Sequence, residues 1–305
     1  MSDSTGFTSM AGARAEGEAP QIGIGMLGYA FMGKAHTNAL KKLPYMMYPP
    51  VAHPRLVAVC GRNEEATAEA ARRYGYEKYY TDWRQMIDDP DIQVFDNGGP
   101  NDAHAEPTIA AARAGKHVFC EKPFSLGLEN ARKLLETAQS SNKVFQVGHN
   151  RRFAPVYVKL KELLSEDRAH SAHIKMNRGE LKNPEWTSDT SITGGFLYET
   201  TVHMFDMIRF QFGEVAEMIA FGTSQTYPEI DNFSVLLKFK SGLHATFCSA
   251  ADASWIFPFE RVEVFCEHRT IMTQEMENLT DSRGIDPNFQ FFSWHLLSKE
   301  ERWGY

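Results

Sequence analysis

From Gln21 to about Gly148 the chain alternates short apolar runs with stretches of helical spacing. Ile22 to Leu27 is a continuous run of apolar residues and glycine, the pattern of a strand buried on both faces. A helix is expected from about Phe31 to Lys42 and a second strand over Leu56 to Cys60. Ala66, Ala70, Ala71 and Tyr74 then fall at helical spacing within Glu64 to Tyr74, with Gly75 as the stop. Thr81 or Asp82 is placed to cap a short helix ahead of the Asp88-Asp89-Pro90 break. Ile92 to Asp96 reads as a strand, Ala105 to Ala114 as a helix closed by Gly115, and His117 to Cys120 as a strand. Leu128 to Ser140 is a helix and Val144 to Gly148 a strand. Such alternation implies a parallel sheet covered by helices on both faces.

Past Gly148 the pattern changes. A helical stretch follows Pro155, His173 to Gly179 reads as a strand, and Phe196 to Phe212 suits a helix ending at Gly213. Strand-like runs with turns between them follow at Val215 to Gly222, Asn232 to Lys240, Leu243 to Ser249 and Arg261 to Glu267. The run ending at Phe239, then Ser241-Gly242 and Leu243, resembles a hairpin. The expected division is a tail over 1–20, an α/β domain with a parallel sheet over 21–148, and a second α/β domain with an open, mostly antiparallel sheet over 149–305. An open sheet face would suit pairing of identical copies, with Phe233, Phe239 and Phe247 as candidates.

Composition narrows the setting. The 305 residues are 43% hydrophobic and 23% charged, as in a soluble globular protein, and the net charge of -7 gives no reason to expect nucleic acid or a membrane surface as partner. No apolar run is long enough for a bilayer, and Met1 to Pro20 lacks the basic start and apolar core of a signal peptide. That stretch reads as a disordered tail. Cys60, Cys120, Cys248 and Cys266 are widely spaced and form no metal-type pair, so no metal site is expected and the thiols are expected to be reduced. The cytoplasm is the expected compartment.

Candidate chemistry begins at the first strand. Gly28, Ala30 and Gly33 fill the positions of a G-x-G-x-x-G turn between strand and helix, with Ala in second place. Such a turn aims backbone N–H groups and a helix N-terminus at a pyrophosphate. The second strand ends in Cys60-Gly61-Arg62, with no acidic residue for the ribose hydroxyl of NAD. Arg62 would suit the 2′-phosphate of NADP or stack on the adenine, so of NAD and NADP the sequence favours NADP. The Pro44-to-Pro50 loop is expected at the end of the sheet far from the cofactor, as an interface or structural loop. Glu121-Lys122-Pro123 follows a strand end, where ligands of parallel sheets bind. Far along the chain, Glu199 and His203 lie four apart, with Asp206 three further on. On a regular helix the carboxylate at 199 would sit one turn from the imidazole, orienting it and raising its pKa as suits an acid or base.

These motifs in order, namely the glycine turn, Pro100-Asn101-x-x-His104, Ala114-Gly115-Lys116-His117-Val118, Glu121-Lys122-Pro123, Asn150-Arg151-Arg152-Phe153-x-Pro155 and the helix with Glu199, His203 and Asp206, resemble the Gfo/Idh/MocA family of oxidoreductases. The resemblance is strong from about Gln21 to Asp206, weaker to about Gly222, and architectural beyond. It implies a Rossmann domain, a C-terminal domain with an open antiparallel sheet, and NAD or NADP. It also implies hydride transfer at a secondary alcohol carbon of a sugar or cyclitol. Lys122 and His203 would be the catalytic pair, His203 exchanging the proton, Lys122 holding the reacting oxygen and Glu199 tuning His203. Phe31, Met32, Pro100, Asn101, His104, Glu121 and Lys122 would join Gly28, Ala30, Gly33 and Arg62 around the cofactor. Asn150, Arg151 and Tyr198 would line the substrate with Lys122, Glu199 and His203. A homo-oligomer, dimer or tetramer, is expected through the C-terminal sheet. An NAD-dependent glycosidase acting by transient oxidation, and a non-catalytic cofactor-binding sugar sensor, are the alternatives.

The chain departs from the family pattern in three places. Ala30 stands where the turn has Gly, Glu199 stands where an Asp is usual, and family members continue past Trp303-Gly304-Tyr305 into a closing helical segment.

Overall fold

A computed structural model describes residues 19–181, 183–254 and 259–284. The tail expected over 1–20 and the chain end at Tyr305 fall largely outside the described residues. Two compact units divide the chain between Val147 and Gly148, with Lys122–Leu126 grouped in the second.

The first unit runs β1 (Gln21–Leu27), α1 (Phe31–Met46), β2 (His53–Cys60), α2 (Glu64–Tyr74), β3 (Lys78–Tyr80), α3 (Trp83–Asp88), β4 (Val94–Asn97), α4 (Ala105–Arg113), β5 (His117–Cys120), α5 (Leu128–Ser140) and β6 (Phe145–Val147). The strands form one parallel sheet in the order β3-β2-β1-β4-β5-β6. The order reverses between β1 and β4, the crevice where doubly wound sheets bind ligands. Met26, Val57, Ala58, Val59 and Phe95 are fully buried, as strands covered on both faces require. The starts of α2 and α3 and the end of α2 fall where the sequence says they should. Asn63 and Asp82 accept backbone N–H bonds as N-caps of α2 and α3, and Gly75 closes α2 in the left-handed conformation at φ 79°. α1 continues through Pro44 to Met46, past the expected end at Lys42.

The second unit holds α6 (Pro155–Glu166), β7 (Ala169–Asn177), α7 (Thr190–Thr193), a π-helical turn over Leu197–Thr201, α8 (Val202–Phe212), β8 (Val215–Thr223), β9 (Asn232–Phe239), β10 (His244–Ala250), β11 (Glu260–Cys266), β12 (Arg269–Gln274) and β13 (Asn278–Arg283). Its strands form a seven-stranded sheet, β13-β12-β11-β7-β10-β9-β8, in which the β7–β10 pair is parallel and the other pairs antiparallel. Tyr157, Leu160, Met204 and Met207 of α6 and α8 pack on one sheet face with Phe239, Phe247, Val262 and Val264.

Here one expectation is corrected. Phe233, Phe239 and Phe247 are 8%, 1% and 0% exposed, so they belong to this core and not to an outer surface. The alternation Phe233, Val235, Leu237, Phe239 against Ser234, Leu236, Lys238 puts the aromatics under the helices. Among the described residues, Ile219 and Phe221 of β8 and Leu236 of β9 are large exposed apolar side chains on the face away from these aromatics, whereas Met218 pairs with Leu237. Among the described residues no helix is long and apolar enough to cross a membrane.

Candidate active site

In the first unit the glycine turn is built as a close approach of backbone to backbone. Gly28 has φ 92°, and a Cβ there would lie 2.7 Å from the Gly98 carbonyl oxygen. A Cβ on Gly33 would lie 2.0 Å from the Gly28 carbonyl oxygen, so only glycine lets α1 pack this tightly on the turn. Ala30 is exposed at the N-cap of α1, Phe31 is 81% exposed, and Met32 is half-buried. Bare backbone from the Gly98–Gly99 pair lies beside the turn, with Gly98 N–H donating to the Leu27 carbonyl at 2.9 Å. This cradle fits a dinucleotide pyrophosphate: bare backbone of Gly28, Gly33, Gly98 and Gly99 comes together at the turn, and Ala30 adds only a methyl.

The other residues expected around the cofactor divide into two groups. Pro100 is half-buried and Arg62 lies exposed after β2. Asn101, His104 and Glu121 are turned inward, 5%, 0% and 6% exposed. The His104 ring pairs with the Gly99 carbonyl at 3.1 Å, so this residue shapes the loop from within. Glu121 Oε1 meets the ring of His36 at 3.2 Å.

In the second unit, Lys122 Nζ donates to the Glu199 carbonyl oxygen at 2.8 Å and to its Oε1 at 3.3 Å. The π-helical turn explains how Glu199 reaches it. Its wide ring, closed by Val202 N–H on the Leu197 carbonyl, separates residues 199 and 203 by an irregular step. Glu199 therefore serves Lys122, and the expected upward shift of His203 by Glu199 is corrected. Burial first, and then the positive charge of Arg151, Lys122, His149 and Arg178, hold the His203 ring well below the usual imidazole range. Its Nδ1 is buried and has no hydrogen-bond partner among the described residues. The ring is thus held neutral, with one nitrogen unspent.

Arg151 is 6% exposed, and its Nε and Nη2 donate to the Glu260 carboxylate at 3.0 and 2.5 Å. The Tyr157 hydroxyl donates to the same carboxylate. Arg151 is therefore a buried cation paired with Glu260, and its charge reaches His203. Arg152 pairs with Asp206, whose Oδ1 also lies 3.9 Å from His149 Nε2. Asn150 is exposed and Tyr198 is 39% exposed, so both present polar groups to solvent. His149 and Arg178 were not singled out in the sequence. The first stands beside the Asn150-Arg151 motif and the second just past the end of β7, and both place charge on His203.

A family profile described as "Oxidoreductase family, NAD-binding Rossmann fold" matches residues 22–149, and one for the GFO/IDH/MocA C-terminal domain matches residues 157–272. The chain belongs to the Gfo/Idh/MocA oxidoreductase family. Among its relatives in that family, levoglucosan dehydrogenase of Pseudarthrobacter phenanthrenivorans is 36% identical over 207 residues, 65% of this chain and 53% of that protein. The chain thus spans about half the length of that relative. Myo-inositol 2-dehydrogenase of Thermotoga maritima is 30% identical over 272 residues, 86% of this chain and 79% of that one. A solved levoglucosan dehydrogenase, in complex with NADH and levoglucosan, superposes with a TM-score of 0.84 at 28% identity, over 91% of this chain and 80% of that one. As a Gfo/Idh/MocA member the protein carries an NAD-binding Rossmann domain. The preference for NADP read from Arg62 gains no support: the family domain is described by NAD.

Proposed function

We propose that this Gfo/Idh/MocA protein is an NAD-dependent dehydrogenase that oxidises a secondary alcohol of a sugar or cyclitol, or reduces the matching ketone. The observation that carries the reading is the pairing of Lys122 with Glu199 in the same charged environment that keeps His203 neutral. Relatives named for levoglucosan and myo-inositol, and a neighbouring structure with NADH, support the substrate class and NAD.

When bound, the nicotinamide supplies the acceptor for a hydride. The chain's own residues handle the oxygen and the proton. The Lys122 ammonium donates to the substrate hydroxyl oxygen and favours its alkoxide character, with Glu199 holding the lysine in place. His203, neutral and buried, takes the hydroxyl proton in oxidation and returns it in reduction. Asn150 and Tyr198 offer hydrogen bonds to the remaining hydroxyls. A dimer or higher oligomer forms through the sheet face that carries Ile219, Phe221 and Leu236.

The test is a panel of sugars and cyclitols with NAD and with NADP, followed by absorbance of the reduced cofactor. Stoichiometric reduced NAD from a polyol or sugar is expected. Cleavage of a glycoside with no net cofactor turnover, or cofactor binding with no turnover on any substrate, would reject the dehydrogenase reading.

A further inference from the structure

His36, on the inner side of α1, stands between two buried carboxylates. Its Nδ1 lies 3.0 and 3.1 Å from the two oxygens of Asp96, at the end of β4, and its Nε2 lies 3.2 Å from Glu121 Oε1, just past β5. Asp96 and Glu121 are each 6% exposed. The Phe119 ring meets the imidazole edge-on at 5.2 Å and fixes its plane. A ring with a carboxylate at each nitrogen donates from both, so it carries its second proton. Burial alone would lower the pKa of His36, but the bonds to Asp96 and Glu121 and their charge overcome it and push it up to about 10. The other titratable groups facing this cluster are the Cys120 thiol on β5 and the Tyr76 hydroxyl beyond α2. Burial raises both, with the carboxylates adding to the rise, so both stay neutral.

The elements joined here are those of the cofactor cradle. α1 starts from the Gly28–Gly33 turn. β4 leads through Asn97 into the Gly98–Gly99 backbone beside that turn, and Glu121 N–H donates to the Asn97 carbonyl at 2.9 Å. Glu121 immediately precedes Lys122 in the chain.

We propose that His36 is a positioning residue for the cofactor: its ring, bonded to Asp96 on one side and Glu121 on the other, ties α1, the end of β4 and the end of β5 into one cradle. This rests on the dinucleotide-binding reading of the same turn. Removing the ring leaves two acidic side chains in a buried site, and Asp96, whose carboxyl burial already pushes up, takes up a proton or moves away.

The experiment is NADH binding by fluorescence at pH values from about 6 to 9, for the wild type, His36→Asn, and His36→Asn with Asp96→Asn. The wild type is expected to bind with little pH dependence. His36→Asn is expected to bind roughly tenfold more weakly at the alkaline end, as loss of a charged hydrogen-bond partner implies, and to recover toward acid as Asp96 gains a proton. The double variant should recover affinity at the alkaline end, since one carboxylate has gone with the ring. Wild-type affinity in His36→Asn, or a loss that neither acid nor the second substitution repairs, overturns the proposal. Failure of the wild type to bind NADH overturns the cofactor reading together with it, whereas wild-type binding with an indifferent variant overturns this proposal alone. If His36→Asn does not fold, nitrogen NMR of the wild-type ring decides. Protonation at both nitrogens at about pH 8 is expected, and a neutral ring there overturns the proposal.

Discussion

Lys122 Nζ is held twice by Glu199, through the main-chain carbonyl at 2.8 Å and the carboxylate Oε1 at 3.3 Å. The carboxylate grip depends on the side chain and the carbonyl grip does not. Lys122→Ala is expected to lower turnover by roughly 10²–10⁴-fold, the usual contribution of a positioned acid/base group, while NADH binding stays within a few fold. Glu199→Gln should lower turnover less, because the main-chain bond remains. If the carboxylate acts only through the lysine, the double variant will be no slower than Lys122→Ala alone. Steady-state kinetics of the four proteins with one active substrate check this, and additive losses would give Glu199 a separate role.

His203 gives a pH dependence whose sign follows from its surroundings. Burial and the neighbouring cations hold its folded pKa well below 6.5. The unfolded ring ionises near its ordinary value, so as pH falls below about 6.5 the unfolded chain binds a proton that the folded chain does not, and stability falls. Urea denaturation of the wild type and His203→Gln at about pH 7 and pH 5 should show a steeper acid loss in the wild type. The same depressed pKa keeps the base available for oxidation through neutral pH, so kcat/KM should show no fall near pH 6.5 that His203→Gln abolishes.

The parallel strands were legible because a strand buried on both faces is a plain apolar run, as in Ile22 to Leu27. β3 was not, since Lys78–Tyr80 is three residues with no alternation to read. β12 and β13 carry Arg269, Thr273, Asp281 and Arg283 among few apolar residues, and polar strands give little periodic signal. The residue types of the candidate site were readable from motif spacing, but their partners were not. A π-helical turn keeps the same apolar residues as an α-helix while changing which side chains meet, so Glu199 was expected at His203 and is found at Lys122. Arg151 and Arg152 are adjacent in sequence, and only packing decides that one faces Glu260, 109 residues away, and the other Asp206.

That pairing separates a structural from a substrate-binding role for Arg151. Both partners are buried, Arg151 at 6% and Glu260 at 1% exposure. Breaking such a pair from one side leaves an uncompensated buried charge, which costs about 3–5 kcal/mol. Arg151→Ala is therefore expected to lower the urea midpoint by a corresponding amount. A fall in stability with little change in KM supports the structural role. An unchanged midpoint with a raised KM would return Arg151 to the substrate.

The open face of the second sheet supplies the last expectation. Phe221 is 77% exposed, Ile219 61% and Leu236 48%. Ile219 and Leu236 are directly paired across β8 and β9, so they form one patch and not scattered contacts. A contiguous apolar patch on a sheet face is unfavourable in water, and a second copy of the same face would remove it from solvent symmetrically. Ile219→Asp combined with Leu236→Lys should convert the assembly to a smaller species in sedimentation velocity. The aromatics under the helices are untouched by these changes, so the fold, followed by far-ultraviolet circular dichroism, should persist. A wild-type monomer at micromolar concentration, or an oligomer indifferent to both charges, would place the subunit contact elsewhere or remove it.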